Sequence, residues 1–289
     1  MLFQGPLYDF RIVPVVRVCN VKTQEPEVAG QFPQVNIQDE GRYGDGRPGL
    51  SLHNLKKYTP IDTDRGIPYR FGMNGGSEIL GHLLTRHPEL EPLGNEILRA
   101  FEVLSETFAS GGKLLVCGNG GSSADADHIV GELMKEFKKK RPLPECVRQS
   151  FLEGYGAEGA YLAENLQAGL PALSLSAHTA LLTAFANDAK PDLVFAQQVC
   201  CLGKPGDTLL ALSTSGNSPN VCFAAMTAKS IGLRVIALTG KGGGRLKTFS
   251  DVLLSVPEEE TDRVQELHLP IYHALCALVE ERFFPYDAS

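Results

Sequence analysis

From residue 77 onward, short apolar runs alternate with longer stretches whose apolar positions recur every three or four residues. The runs Leu114–Cys117, Ala172–Ser176, Thr208–Leu212, Arg234–Leu238 and Val252–Val256 are flanked by turn-forming residues and read as strands buried on both faces. Between and around them, Ile79–Thr85, Glu91–Ser110, Ser122–Lys138, Thr179–Ala186, Leu193–Leu202 and Ser218–Ile231 carry the helical period. Gly244–Phe249 reads as a short helix and Thr261–Phe284 as a long final one, which Pro270 should kink by removing a backbone N–H. The segment 145–169 is predicted to hold a helix over Ala160–Leu166 and otherwise to run over the surface. Strands alternating with helices predict an α/β fold with a parallel sheet covered on both faces, and ligands of such sheets bind beyond the carboxyl ends of the strands.

Residues 1–75 follow another pattern. Phe10–Val18 reads as one or two strands, and a stretch rich in Pro, Gly, Asp and Gln follows, with turn signals at Gly41, Gly44, Gly46 and Pro48. The expected organisation is an irregular extension of no assigned function over 1–75 and one α/β domain over 76–289.

Composition narrows the class. A chain of 289 residues, 43% hydrophobic and 21% charged, has the make-up of a globular protein with a sizeable core. A formal net charge of −7 argues against nucleic acid as a partner, because sequence-independent binding needs a basic surface. The seven cysteines form no CxxC pair and read as reduced core thiols of a cytoplasmic protein. No apolar run approaches the ~18 residues of a membrane helix, and no signal-peptide core is evident, so no membrane partner is expected.

Two strand-to-helix turns carry the candidate chemistry. The first is Gly118-Asn119-Gly120-Gly121-Ser122-Ser123; the second is Ser213-Thr214-Ser215-Gly216-Asn217-Ser218-Pro219. Glycines let the backbone approach a ligand, and hydroxyls beside a helix N-terminus suit a phosphate. Ser218 followed by Pro219 is a good helix start, and Ser122-x-x-Asp125 matches a capping box. Neither turn has the lysine of a Walker A loop, and Ser123 replaces the third glycine of the dinucleotide fingerprint, so no nucleotide cofactor is expected. His128 and Glu132 lie four residues apart on the helix that leaves the first turn, where an imidazole and a carboxylate can move protons or hold a metal. Gln265 and His273 share a ridge of the final helix, with Asp262 and His268 nearby. The basic run Lys138-Lys139-Lys140-Arg141 reads as a solvated helix end, or as an attraction for an anionic substrate.

Together these segments resemble the sugar-isomerase (SIS) domain, and within it the phosphoheptose isomerase family. The matching stretches are Cys117–His128 with Glu132, Leu182–Asp188, Ser213–Ser218, Leu238–Lys241 and Arg263–His268 with His273. The resemblance implies a three-layer α/β/α fold with a five-stranded parallel sheet of the flavodoxin-like kind, preceded by a helical element. It implies an aldose–ketose isomerase converting sedoheptulose 7-phosphate into a manno-heptose 7-phosphate through an enediol. By resemblance Glu132 and His273 are the acid and base. Asn119, Gly120, Ser122, Ser213, Thr214, Ser215 and Ser218 hold the phosphate, and Asp188, Asp262 and Gln265 orient the sugar. Some members carry zinc at the positions of His128, Glu132, Gln265 and His273, and members are usually homotetramers with sites shared between subunits. Two alternatives stay open: a non-catalytic SIS protein associated with a replication initiator, or an isomerase or lyase of another phosphosugar. Many members have arginine where this chain has Glu136, and the segment 145–169 is longer than their usual link.

Overall fold

A computed structural model of the protein describes residues 75–284. The expected strand at Phe10–Val18 and the irregular extension lie outside the described residues. Helices α1 (Gly75–Arg86) and α2 (Gly94–Ala109), joined by a 3₁₀ turn over Pro88–Leu93, precede the first strand. Strand β1 (Leu114–Cys117) leads into α3 (Gly121–Met134), followed by α4 (Glu145–Asn165), β2 (Ala172–Ser174), α5 (Thr179–Asp188) and α6 (Val194–Leu202). Then come β3 (Thr208–Ser213), α7 (Pro219–Ser230), β4 (Arg234–Thr239), a 3₁₀ turn over Gly244–Thr248, β5 (Val252–Ser255) and α8 (Thr261–Phe283).

The five strands form one parallel sheet in the order β2-β1-β3-β4-β5. Alternate side chains separate two cores. Leu114, Val116, Leu210, Leu212, Ile236 and Leu238 face α2, α3 and α8. Leu115, Cys117, Leu209, Ala211, Val235 and Ala237 face α6 and α7. This is the period-two pattern of a strand buried on both sides, and it gives the expected three layers. Helix α2 buries Ile97, Ala100, Leu104 and Phe108, the three-and-four spacing of one helix face. Order reverses between β1 and β3, since the chain leaves β1 for β2 on one side and returns to β3 on the other. The carboxyl ends of those two strands flank the crevice where this sheet type binds ligands.

Several boundaries differ from the sequence reading. Helix α8 runs unbroken through Pro270, which sits half-buried within it. Residues Glu145–Asn165 are helical almost throughout, interrupted only at Gly156, whose φ of 54° no other residue type adopts readily. The cysteines are core thiols only in part: Cys117, Cys222 and Cys276 are buried, whereas Cys146, Cys200 and Cys201 are exposed.

Candidate active site

The turn after β3 is the more tightly built of the two. Ser213 ends the strand and its Oγ lies 2.9 Å from that of Ser218. Ser218 occupies the N-cap position of α7 with Pro219 behind it, but its hydroxyl turns to Ser213 instead of capping the helix. Gly216 donates its N–H to Ser213 (2.9 Å) and accepts from Leu246 N–H (3.0 Å), while Gly240 N–H reaches the Thr214 carbonyl (2.8 Å). Gly216 has a φ of 64°, and a Cβ there would lie 2.2 Å from the Gly243 carbonyl oxygen, so only glycine fits. Asn217 closes the tip by accepting the Arg245 N–H at 3.0 Å. Thr214 and Ser215 are left at the surface of this braced loop.

The turn after β1 starts its helix earlier than expected. Gly120, with φ 56° and ψ −121°, holds the N-cap position of α3 without a side-chain cap. Ser122 therefore lies buried inside the first helical turn, its N–H already bonded to the Asn119 carbonyl at 3.0 Å. The capping box with Asp125 does not form, and Asp125 instead accepts from the Tyr272 hydroxyl at 3.1 Å. Asn119 and Asn220, the latter in the first turn of α7, exchange two amide hydrogen bonds of 2.9 Å each. The pair joins the two turns directly.

Helices α3 and α8 pack side by side on one face of the sheet and carry the titratable groups. His128 Nε2 lies 3.2 Å from Glu132 Oε1 and 3.4 Å from His273 Nε2. The other carboxylate oxygen of Glu132 accepts from Lys135 Nζ at 3.1 Å. Burial, and next the neighbouring His128, lowers the His273 pKa, which keeps that imidazole neutral at pH 7. Burial also raises Asp125 above the ordinary carboxylate range, against the pull of Tyr272 and His128. Gln265 reaches the start of α3, where its Nε2 would lie 2.5 Å from a Cβ on Gly121. Asp262 is exposed in the first turn of α8. Asp188, at the exposed end of α5, accepts from the amide of Asn187 at 2.8 Å and forms no hydrogen bond with either turn.

The basic run is not the solvated helix end that the sequence predicts. Helix α3 stops at Met134, and Arg141 turns back into the interior, only 1% exposed. Its guanidinium donates to the carbonyls of Leu133 (2.7 Å) and Glu132 (3.0 Å) and to Glu280 Oε1 (2.8 Å). Glu280 also accepts the N–H groups of Phe137 (3.0 Å) and Lys138 (2.8 Å). A buried cation thus caps the end of the helix that carries Glu132, and Lys139 pairs with Glu281 at 2.6 Å.

Sequence reasoning missed Asn220, Tyr272, Asp125 as a partner of Tyr272, and the Arg141–Glu280 pair. Asn220 was legible as a polar residue one step past the Ser218-Pro219 start. The others depend on contacts between segments more than 130 residues apart.

Zinc favours a tetrahedron of nitrogen, sulfur and oxygen donors. The separations of 3.2 and 3.4 Å around His128 match the edge of about 3.3 Å expected for a tetrahedron with bonds of 2.0–2.1 Å. Yet among the described residues no group of three or more His, Cys, Asp or Glu is gathered as a metal cage. The donor types suit zinc, and the arrangement matches it along two edges only.

The fold is an α/β class with a parallel sheet and two Gly/Ser turns at its switch point, and the SIS domain family profile matches residues 85–149 and 157–240. A phosphoheptose isomerase from Helicobacter pylori (strain P12) is 38% identical over 206 residues, covering 71% of this chain and 94% of that protein. One from Thiobacillus denitrificans is 42% identical over 193 residues, covering 66% and 85%. The solved phosphoheptose isomerase of Neisseria gonorrhoeae is 32% identical with a TM-score of 0.55, covering 71% of this chain and 96% of its own. That of Francisella tularensis is 30% identical with a TM-score of 0.56, covering 71% and 95%. The chain belongs to the phosphoheptose isomerase family of SIS-domain proteins.

Proposed function

We propose that the protein is an aldose–ketose isomerase that converts sedoheptulose 7-phosphate into D-glycero-D-manno-heptose 7-phosphate through an enediol. The observation that carries this reading is the placement of Glu132 and His273 on adjacent helices, both linked to His128, beside two joined turns of phosphate-binding type. Asn119, Gly120, Ser122, Ser213, Thr214, Ser215 and Ser218 are assigned to the phosphate, and Gln265, Asp188 and Asp262 to the sugar hydroxyls. Glu132 takes the proton from C1 and returns it to C2. His273, neutral at pH 7, gives a proton to O2 and takes one from O1, so each group ends as it began.

Incubation with sedoheptulose 7-phosphate should yield the aldose phosphate, and Glu132→Gln should slow its formation at least about 100-fold. No turnover, with or without added zinc, overturns the reading. We assign zinc, when bound, to His128, Glu132, Gln265 and His273, where it would polarise the substrate oxygens; metal analysis of purified protein tests this. A homotetramer with shared sites belongs to the same proposal. It is supported by α5, which buries none of its residues despite Leu181, Leu182 and Phe185, and by exposed Leu173 on the edge strand. Light scattering reads the subunit number. A cytoplasmic location is part of the reading, supported by the free thiols of the described cysteines. Among the described residues no helix is long and apolar enough to cross a membrane.

A further inference from the structure

Helix α3 ends abruptly. Lys135 leaves it with extended backbone (φ −133°, ψ 177°), without the left-handed turn that commonly serves the last carbonyls of a helix. Arg141 takes over that task. Its guanidinium donates to the carbonyl of Glu132 itself at 3.0 Å and to that of Leu133 at 2.7 Å. A third bond, 2.8 Å to Glu280 Oε1, anchors it to α8. The two side chains are 0% and 1% exposed, so solvent hardly screens the pair. Glu280 follows His273 on α8 by about two turns. The same carboxylate accepts the N–H of Phe137, whose ring centroid lies 5.5 Å from that of His273. One buried ion pair therefore reaches both groups of the proposed chemistry. It reaches Glu132 through that residue's own carbonyl, and His273 through their shared helix and the Phe137 ring. For stability alone such a pair is a poor device, because well-packed apolar residues often serve as well. What it adds is geometry, since a planar guanidinium fork suits few arrangements of its acceptors.

We propose that Arg141 and Glu280 are positioning residues: they clamp the end of α3 to α8 and so set the spacing between Glu132 and His273. The proposal deepens the isomerase reading and rests on it for its catalytic consequence.

Asp207 provides a matched control. It too is a buried carboxylate that accepts two backbone N–H groups, from Lys113 (2.9 Å) and Lys204 (2.8 Å), and pairs with the Lys113 ammonium. It stands at the amino end of β3, across the sheet from both turns. Glu280→Gln keeps the size of the side chain but sets an amide NH2 group against one of its three donors. In turnover of sedoheptulose 7-phosphate it should lower kcat about 10- to 100-fold, with KM changed less than about twofold, as expected when the support behind an active-site group is lost. Asp207→Asn should lower the unfolding midpoint comparably and leave kcat within about twofold of wild type. Arg141→Lys keeps the buried charges paired, but one ammonium cannot serve Glu280 and both carbonyls. It should lower kcat at least about 10-fold, and provides the test should Glu280→Gln not fold. Wild-type kcat in a folded Glu280→Gln or Arg141→Lys overturns the proposal. So does a loss carried by KM, or an equal loss in Asp207→Asn. An inactive wild-type protein refutes the isomerase reading, and amide hydrogen exchange then decides the clamp. It stands if Glu280→Gln speeds exchange over residues 131–134 and Asp207→Asn does not, and it falls otherwise.

Discussion

The turn after β3 is held from three directions, by the Ser213–Ser218 hydroxyl pair, by Gly240 on the Thr214 carbonyl and by Leu246 on Gly216. The turn after β1 has an open flank: nothing lies within 4 Å of where a Cβ on Gly120 would be, and Asn119 and Gly120 are exposed. The two look alike as strings of glycine, serine and asparagine. Their difference is a division of labour. Under the proposed function, the braced turn would hold the phosphate without rearranging, because its backbone is already ordered. The open turn is the doorway of the helix that bears His128 and Glu132, and its position is set by neighbours: Asn220 on one side and Gln265 on the other.

The sharpest test of this division is kinetic. Glu132→Gln, on the helix of the open turn, should cut kcat by about 100- to 10,000-fold with little change in KM. Ser215→Ala, in the braced turn, should act mainly by raising KM; an equal fall in kcat would erase the proposed distinction. Stability should separate the turns as well. Gly216→Ala meets both a φ of 64° and the Gly243 carbonyl, and should cost more than about 3 kcal/mol in denaturant unfolding.

Protonation should act on stability through a buried histidine of α8, close to the backbone of Thr239 at the end of β4. His268 is fully buried, neither of its ring nitrogens makes a hydrogen bond, and burial lowers its pKa to about 4 despite the Thr239 backbone nearby. The folded pKa lies below the unfolded one, so the contribution is complete above pH 6.5 and is lost as pH falls toward 4. That amounts to about 3 kcal/mol over the interval, measurable as a falling midpoint of unfolding. His268→Gln should flatten that part of the profile.

Smaller effects probe the open flank. Gly120→Ala adds only backbone strain, with no clash, and should cost about 1–2 kcal/mol. A double-mutant cycle with Asn119→Ala and Asn220→Ala should give a coupling of about 1 kcal/mol in stability. Zero coupling would mean that the turns are independent after all.

The layers, strands and both turns were legible in the sequence because each depends on local spacing. Short continuous apolar runs marked the sheet, and Ser218-Pro219 marked the start of α7 within a residue. Local rules failed where a distant segment intervenes. The Ser122-x-x-Asp125 signal was sound as a pattern, but Gly120 starts the helix early and Tyr272 claims the carboxylate. Arg141 read as surface charge because Glu280, its partner, lies 139 residues on. Pro270 leaves α8 continuous, with Ile271 and Tyr272 buried beside it. His128 and Glu132 were found by their i, i+4 spacing, whereas their approach to His273 required the packing of α3 on α8.

The amide pair between Asn119 and Asn220 has one more consequence. Each side chain is at once the donor and the acceptor of the other, so neither position has a substitute that keeps both bonds while its partner stays asparagine. A shorter or charged residue at one site leaves the other's amide half-used at the mouth of the crevice. The two positions should therefore drift together or not at all, and in a set of homologous chains that keep this crevice they are expected to change in tandem.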